Sequence, residues 1–241
     1  MHIDIFIPCF IDQLFPQTGF NMIKVLEHAG CTVHYNPNQT CCGQPAFNAG
    51  FWDKTDDVGK KFITDFSAED RPIVSPSGSC VGFVRNSYSE MYENTPYHNF
   101  NKQVKRNLFE FSEFMVDILK VSDLGGSLKK KVTYHDACAA LRECGIKSQP
   151  RSLLEQIKGV EIVEMGQAET CCGFGGTFAT KFESISTGMA DQKGESILET
   201  GADIVVSTDY SCLMHLQSYF KKQNIPIEVA HIADLLAESI A

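Results

Sequence analysis

The cysteines of this chain repeat. Cys9, Cys41, Cys42 and Cys80 recur as Cys138, Cys171, Cys172 and Cys212, displaced by 129, 130, 130 and 132 residues. In both copies a glycine, Gly43 or Gly173, follows the vicinal pair. So little drift restricts the architecture to two copies of one unit, each gathering one, two and one cysteines. The 241 residues suit one large domain or two of about 120 residues each. A duplicated four-thiol set is hard to explain by packing and points first to bound metal.

Strand-like and helix-like stretches alternate in the same order in both halves. In the first, Ile3 to Pro8 reads as an apolar strand ending at Cys9. A helix over Leu14 to Leu26 closes on Gly30, and Thr32 to Tyr35 is a second strand. A helix spans about Phe51 to Phe66, then Ile73-Val74 is a strand that turns into Cys80. A fourth strand is expected near His98 to Phe100, with a helix from Asn107. The second half offers strands at Val132 to Tyr134, Glu161 to Met165, Ile204 to Ser207 and Ile227 to Val229. Its helices are Arg151 to Ile157, a stretch after Phe182, and Ile232 to Ile240. The expected fold is α/β, with two pseudo-repeated halves (1–121 and 132–241) joined by a Gly/Ser/Lys-rich linker, 122–131. Each half is a mostly parallel sheet flanked by helices, with its cysteines at the carboxyl ends of strands, where such sheets bind ligands. Trp52 and the many phenylalanines are expected in the core.

A formal net charge of -9 and a pI near 5.2 argue against nucleic acid as the main partner. Lys102, Lys105 and Arg106, and Lys129 to Lys131, read as solvated surface. No apolar run approaches the roughly 20 residues of a spanning helix, and Met1 to Phe10 lacks the features of a signal peptide. A cytoplasmic location is expected, where thiols stay reduced and cysteine clusters bind metal or catalyse more often than they form disulfides.

Four thiolates gathered without a cation would repel strongly. At about 6 Å and an effective dielectric near 20, each pair costs roughly 3 kcal/mol, and six pairs about 15 or more. Gly43 and Gly173 allow a positive φ or a close backbone approach, and the amides of Gly173-Phe174-Gly175-Gly176 could donate to sulfur. Zinc and iron–sulfur clusters both take four thiolates. Structural zinc usually draws closely spaced pairs, whereas these ligands are separated by long folded segments and do not form a ferredoxin run. An iron–sulfur cluster is favoured, with zinc open for one of the two sites.

The patterns Cys-x31-Cys-Cys-Gly-x36-Cys and Cys-x32-Cys-Cys-Gly-x38-Cys resemble the cysteine-rich CCG domain of heterodisulfide reductase and related iron–sulfur proteins. The segments Cys41-Cys42-Gly43-Gln44-Pro45-Ala46-Phe47-Asn48 and Cys171-Cys172-Gly173-Phe174-Gly175-Gly176-Thr177-Phe178 are most similar to the lactate-utilisation protein A family. So is the length, which leaves room for two CCG domains and no ferredoxin domain. The resemblance implies cluster ligands at Cys9, Cys41, Cys42 and Cys80, and at Cys138, Cys171, Cys172 and Cys212. In its fullest form the family pattern ends in Cys-x-x-Cys. Here the last position is Phe83 or His215, which points to a four-thiolate 4Fe–4S cluster rather than a five-cysteine one. His215 reads as a hydrogen-bonded histidine, with ligation as the alternative.

Cys31 and Cys144 fall outside the pattern, Cys31 as a small buried hydrophobe. His135 and Asp136 could tune the second site or relay protons, with surface or core duty as the default. No Gly-x-Gly-x-x-Gly follows a strand and no P-loop lysine is present, so the chain carries no flavin or nucleotide signature and is not expected to complete a two-electron oxidation alone. The resemblance implies an electron-transfer subunit of an L-lactate (2-hydroxy acid) oxidation complex. Its partners would be a ferredoxin-like iron–sulfur subunit and a third small subunit. Three alternatives stand beside it: a directly catalytic disulfide-reducing subunit, a zinc-binding structural module, and a thiol–disulfide oxidoreductase. The last is disfavoured because no Cys-x-x-Cys occurs.

Overall fold

The computed structural model describes residues 1–241. Two four-stranded sheets, each wholly parallel, share one strand plan. The first contains β1 (His2–Ile5), β2 (Thr32–Tyr35), β3 (Ile73–Ser75) and β4 (Leu108–Glu110), in the order β2-β1-β3-β4. The second contains β5 (Ser127–Tyr134), β6 (Lys158–Ile162), β7 (Ile204–Ser207) and β8 (Glu228–His231), in the order β6-β5-β7-β8. The central strands are apolar because helices cover both faces: Ile3, Ile5, Ile73 and Val74 are fully buried, as are Val205 and Val206. In each half the chain leaves the first strand to opposite sides, making a switch point between β1 and β3 and between β5 and β7. Crevices for ligands lie outside the strands' carboxyl ends at such points.

The halves share a core. Ile3, Val25 and Phe114 belong to the same buried cluster as Val132, Leu153 and Leu235. The helix Ile232–Ser239 lies against Pro16–His28, where Thr18 Oγ1 and Asn21 Nδ2 donate to Asp234 at 3.0 and 2.8 Å. Two further clusters form separately, one around Phe6, Phe62 and Tyr88 and one around Cys172, Cys212 and Leu216. No helix is long and apolar enough to cross a membrane.

Several local expectations are corrected. His98–Asn107 is a helix that buries Asn101 and Val104, and the fourth strand follows it at Leu108–Glu110. The helix expected from Asn107 starts instead at Phe111, where the Glu110 side chain caps it, and continues as a π-helical turn over Phe114–Ile118. Trp52 is 67% exposed, because it lies at the N-terminal end of its helix, ahead of the buried stripe Thr55, Phe62, Ile63 and Phe66. Phe20, Phe51, Phe100 and Phe182 are also exposed, while Phe6, Phe62, Phe111, Phe114 and Phe220 are buried. β5 begins at Ser127, inside the Gly/Ser/Lys-rich stretch.

Candidate metal centres

Each cysteine of the two sets follows a strand, and Cys9, Cys80, Cys138 and Cys212 lie in the first turn of a helix. Cys9 begins Cys9–Leu14 after β1, Cys41 and Cys42 lie between β2 and Gln44–Asn48, and Cys80 is in the first turn of Gly78–Tyr92 after β3. The N-cap Ser77 accepts from the Cys80 amide at 3.4 Å, fixing that turn. The four thiols contact one another in succession, Cys9 with Cys41, Cys41 with Cys42, and Cys42 Sγ with Cys80 Sγ at 3.3 Å. Hydrogen bonds from Cys42 and Cys9 hold the Cys41 thiol down to about 3. Its hydrogen bond to Cys41, then burial, pushes Cys9 up, and Cys42 rises through its bonds to Cys41 and Cys80.

Gly43 explains the vicinal pair. Its φ of 91° turns its amide back onto Cys41 Sγ at 3.3 Å, a conformation that disfavours a side chain. The buried Tyr88 hydroxyl donates to the Cys42 carbonyl at 2.7 Å and pins the loop.

The second half repeats this scheme. Cys138 begins Cys138–Cys144 after β5, Cys171 and Cys172 follow β6, and Cys212 is in the first turn of Tyr210–Gln223 after β7. Thiol contacts run from Cys138 to Cys171, Cys172 and Cys212. Bonds from Cys138 and Cys172 hold Cys171 down to about 2, and the bond from Cys172 holds Cys212 down to about 5. Gly173, at φ 95°, aims its amide at Cys171 Sγ at 3.4 Å.

The second half also departs from the first. His135 is fully buried, neither ring nitrogen reaches a nitrogen or oxygen partner, and the Cys212 thiol is its polar neighbour, ligating atoms of His135, Cys172 and Cys212 lying within 4.8 Å of one another. Asp136 is held instead in a bidentate pair with Arg151 at 2.8 and 2.9 Å. His215 pairs with the Ser186 hydroxyl at 3.2 Å, and Ser186 donates to the Gly173 carbonyl at 2.8 Å, so His215 braces the Cys-Cys-Gly loop. Phe83 is buried against Phe47 and Tyr88.

The two sulfur sets share one cleft. All eight cysteines line a cavity of about 490 Å³ with Phe10, Phe174, Tyr210 and Asp209. The halves approach closely there because Gly78 faces Ala140, whose Cβ would lie 2.6 Å from any Cβ added at position 78. Cys31 is buried in the shared core, and Cys144 Sγ lies 3.6 Å from the Gly78 carbonyl, packed between the cluster that contains Cys42 and the one that contains Cys172. Burial pushes the Cys144 thiol up to about 12. Two site residues escaped the spacing: Lys193, a fully buried lysine on Glu183–Leu198, and the buried Asp209. Only the placement of Lys193 among Ala190 and Ile197 marks it in the sequence.

The donors suit a thiophilic metal or an iron–sulfur cluster. Four sulfurs per half converge at a sheet switch point, a glycine amide is aimed at one of them, and in the second half a buried imidazole lies alongside Cys172 and Cys212.

The cysteine-rich domain known as CCG matches residues 3–85 and 132–217, making this a protein of two CCG units. The chain is 39% identical to lactate utilization protein A of an Exiguobacterium species, over 99% of this chain and 98% of that protein. It is likewise 39% identical to lactate utilization protein A of Halalkalibacterium halodurans, over 98% and 96%. The chain belongs to the lactate utilization protein A family. In fold it is similar to the crystal structure of a hypothetical protein from Helicobacter pylori, with a TM-score of 0.58 at 12% identity. That likeness covers all of this chain and 49% of the Helicobacter protein.

Proposed function

We propose that the chain is the iron–sulfur electron-transfer subunit of an L-lactate (2-hydroxy acid) oxidation complex. One 4Fe–4S centre would be held by Cys9, Cys41, Cys42 and Cys80, the other by Cys138, Cys171, Cys172 and Cys212. The observation that carries this reading is the convergence of each four-thiol set at its own switch point, with both sets lining one cleft. The names of the relatives supply lactate. Such centres carry one electron at a time.

The protein's own contribution is to gather, orient and shield. Cys80 and Cys212 are each presented from the first turn of a helix. The Gly43 and Gly173 amides are positioned to donate to ligated sulfur, and Tyr88 and His215 brace the loops that present the vicinal pairs. Because hydride transfer from a hydroxy acid needs a two-electron acceptor, substrate oxidation is assigned to partners, a ferredoxin-like iron–sulfur subunit and a third small subunit. The setting is the cytoplasm, where thiols stay reduced.

Zinc at the second set is the competing reading, favoured by the His135, Cys172 and Cys212 grouping. Anaerobic purification with iron, acid-labile sulfide and zinc quantified separates the two. The proposal expects iron and sulfide in similar amounts at both sets; zinc bound at one half in place of iron would support the alternative.

A further inference from the structure

The two halves differ at a pair of positions beside their sulfurs. Phe6 stands three residues before Cys9, as His135 stands before Cys138. A Cβ added at Gly43 would meet Thr55 and Val58, and one added at Gly173 would meet Ser186 and Met189. These contacts align the two helices and make Lys193 the counterpart of Phe62. In the first half Phe6 and Phe62 pack edge to face, 4.8 Å between centroids, in the buried cluster that contains Cys42. In the second half the same two places hold an imidazole and an ammonium, both fully buried.

These substitutions are not bland core changes. Burying an imidazole with no nitrogen or oxygen partner is unfavourable unless something else beside it takes up its donor or acceptor. The groups beside it are Cys172 and Cys212. Lys193 Nζ donates to the Gln167 and Ala168 carbonyls, in the loop that leads to Cys171, and is within electrostatic reach of Cys172, Cys171 and Cys212. The neighbouring acids are otherwise engaged. Asp136 is paired with Arg151, and the Asp209 oxygens accept from Ser77 and Ser79 of the first half.

Resting on the reading of two iron–sulfur centres, we infer that His135 and Lys193 make the second centre the more easily reduced of the two. Adding an electron makes a thiolate-ligated centre more negative. A nearby ammonium and a nitrogen donor stabilise that form, whereas the Phe6 and Phe62 rings offer no such compensation. His135 and Lys193 act as tuning residues whose effect is confined to one half.

The test is an EPR-monitored redox titration of the full chain prepared without oxygen, with Cys42→Ser and Cys172→Ser used to assign each signal to its half. Two separate reduction steps are expected, the higher potential belonging to the second half. His135→Phe and Lys193→Met should each lower that step and leave the other in place. Coincident steps, the reverse order, or variants that shift both centres equally would overturn the inference while leaving two iron–sulfur centres standing. Should either variant fail to load iron, the order of the two steps in the unaltered chain still decides the matter. Iron confined to one half would overturn it as well, and a chain free of iron and sulfide would overturn both this inference and the function it rests on.

Discussion

Asp209, in the second half, accepts a hydrogen bond from the Ser79 amide of the first half at 2.9 Å. Its other oxygen takes both the Ser79 and Ser77 hydroxyls, at 2.8 and 2.9 Å. It therefore joins the helix start that carries Cys80 to the one that carries Cys212. Asp209→Ala leaves those buried donors unpaired. Burial pushes the Asp209 carboxyl up to about 7, so the size of the loss is set by the buried donors left without an acceptor, about 1–3 kcal/mol each, and urea unfolding should show a loss of that order. Asp209→Asn, which keeps an acceptor for the Ser79 amide, should lose clearly less. Equal losses would mean that the cross-half contact is not the source of the stability.

Gly173 and Gly43 should respond unequally to alanine. Both have φ near +90°, where an L side chain costs about 1–2 kcal/mol. At Gly173 the new Cβ would also lie 2.6 Å from the Ser186 carbonyl oxygen, while at Gly43 the nearest atom is the Thr55 methyl at 3.2 Å. Gly173→Ala should lower the thermal midpoint further than Gly43→Ala and reduce metal at the second set more than Gly43→Ala reduces it at the first. Differential scanning fluorimetry and metal analysis of the two variants check the order.

Glu110 makes stability depend on pH. Burial pushes its carboxyl up to about 8, and its Oε1 lies buried without a partner while Oε2 accepts from the Ser112 and Glu113 amides. The folded chain thus holds a proton that the unfolded chain, with an ordinary value of about 4.3, has released. The contribution is fully present below about pH 4 and is lost as pH rises through about 8. Each tenfold difference in proton affinity between the two states is worth about 1.36 kcal/mol, so the swing is on the order of a few kcal/mol. Denaturant midpoints at pH 5 and 8.5 should fall less in Glu110→Gln than in the unaltered chain.

Gly78→Val should pry the halves apart at the cleft. The small face of Gly78–Tyr92 lets Ala140 approach within reach of position 78, and larger groups there have no room. Overpacking of this kind costs roughly 1–3 kcal/mol. A protease-sensitivity assay should show faster cutting of the variant, and an unchanged rate would contradict so tight an approach.

Much of this architecture is legible in the sequence, for a physical reason. Strands such as Thr32–Tyr35 and Ile204–Ser207 fall where they are expected because short runs containing β-branched residues are bounded there by turn-forming residues. The doubled cysteine pattern also announces that four thiols per half follow strands. What local pattern could not reveal depends on contacts between distant segments. His98 to Phe100 reads as a strand, and the helix that forms there instead is anchored by a distant contact, Asn101 to the Tyr88 carbonyl at 3.0 Å. Trp52 is exposed because of where its helix sits, which composition does not encode. Lys193 and Asp209 become site residues only when the helices that carry them are packed beside the sulfurs.

The independence of the two thiol sets is tested most directly by counting iron in anaerobically prepared Cys42→Ser, Cys172→Ser and the double variant. Each single change should remove about half of the iron and one EPR signal, and the double variant should retain essentially none. If one single change empties both halves, or if neither alters the iron content, the eight cysteines do not form two separate centres.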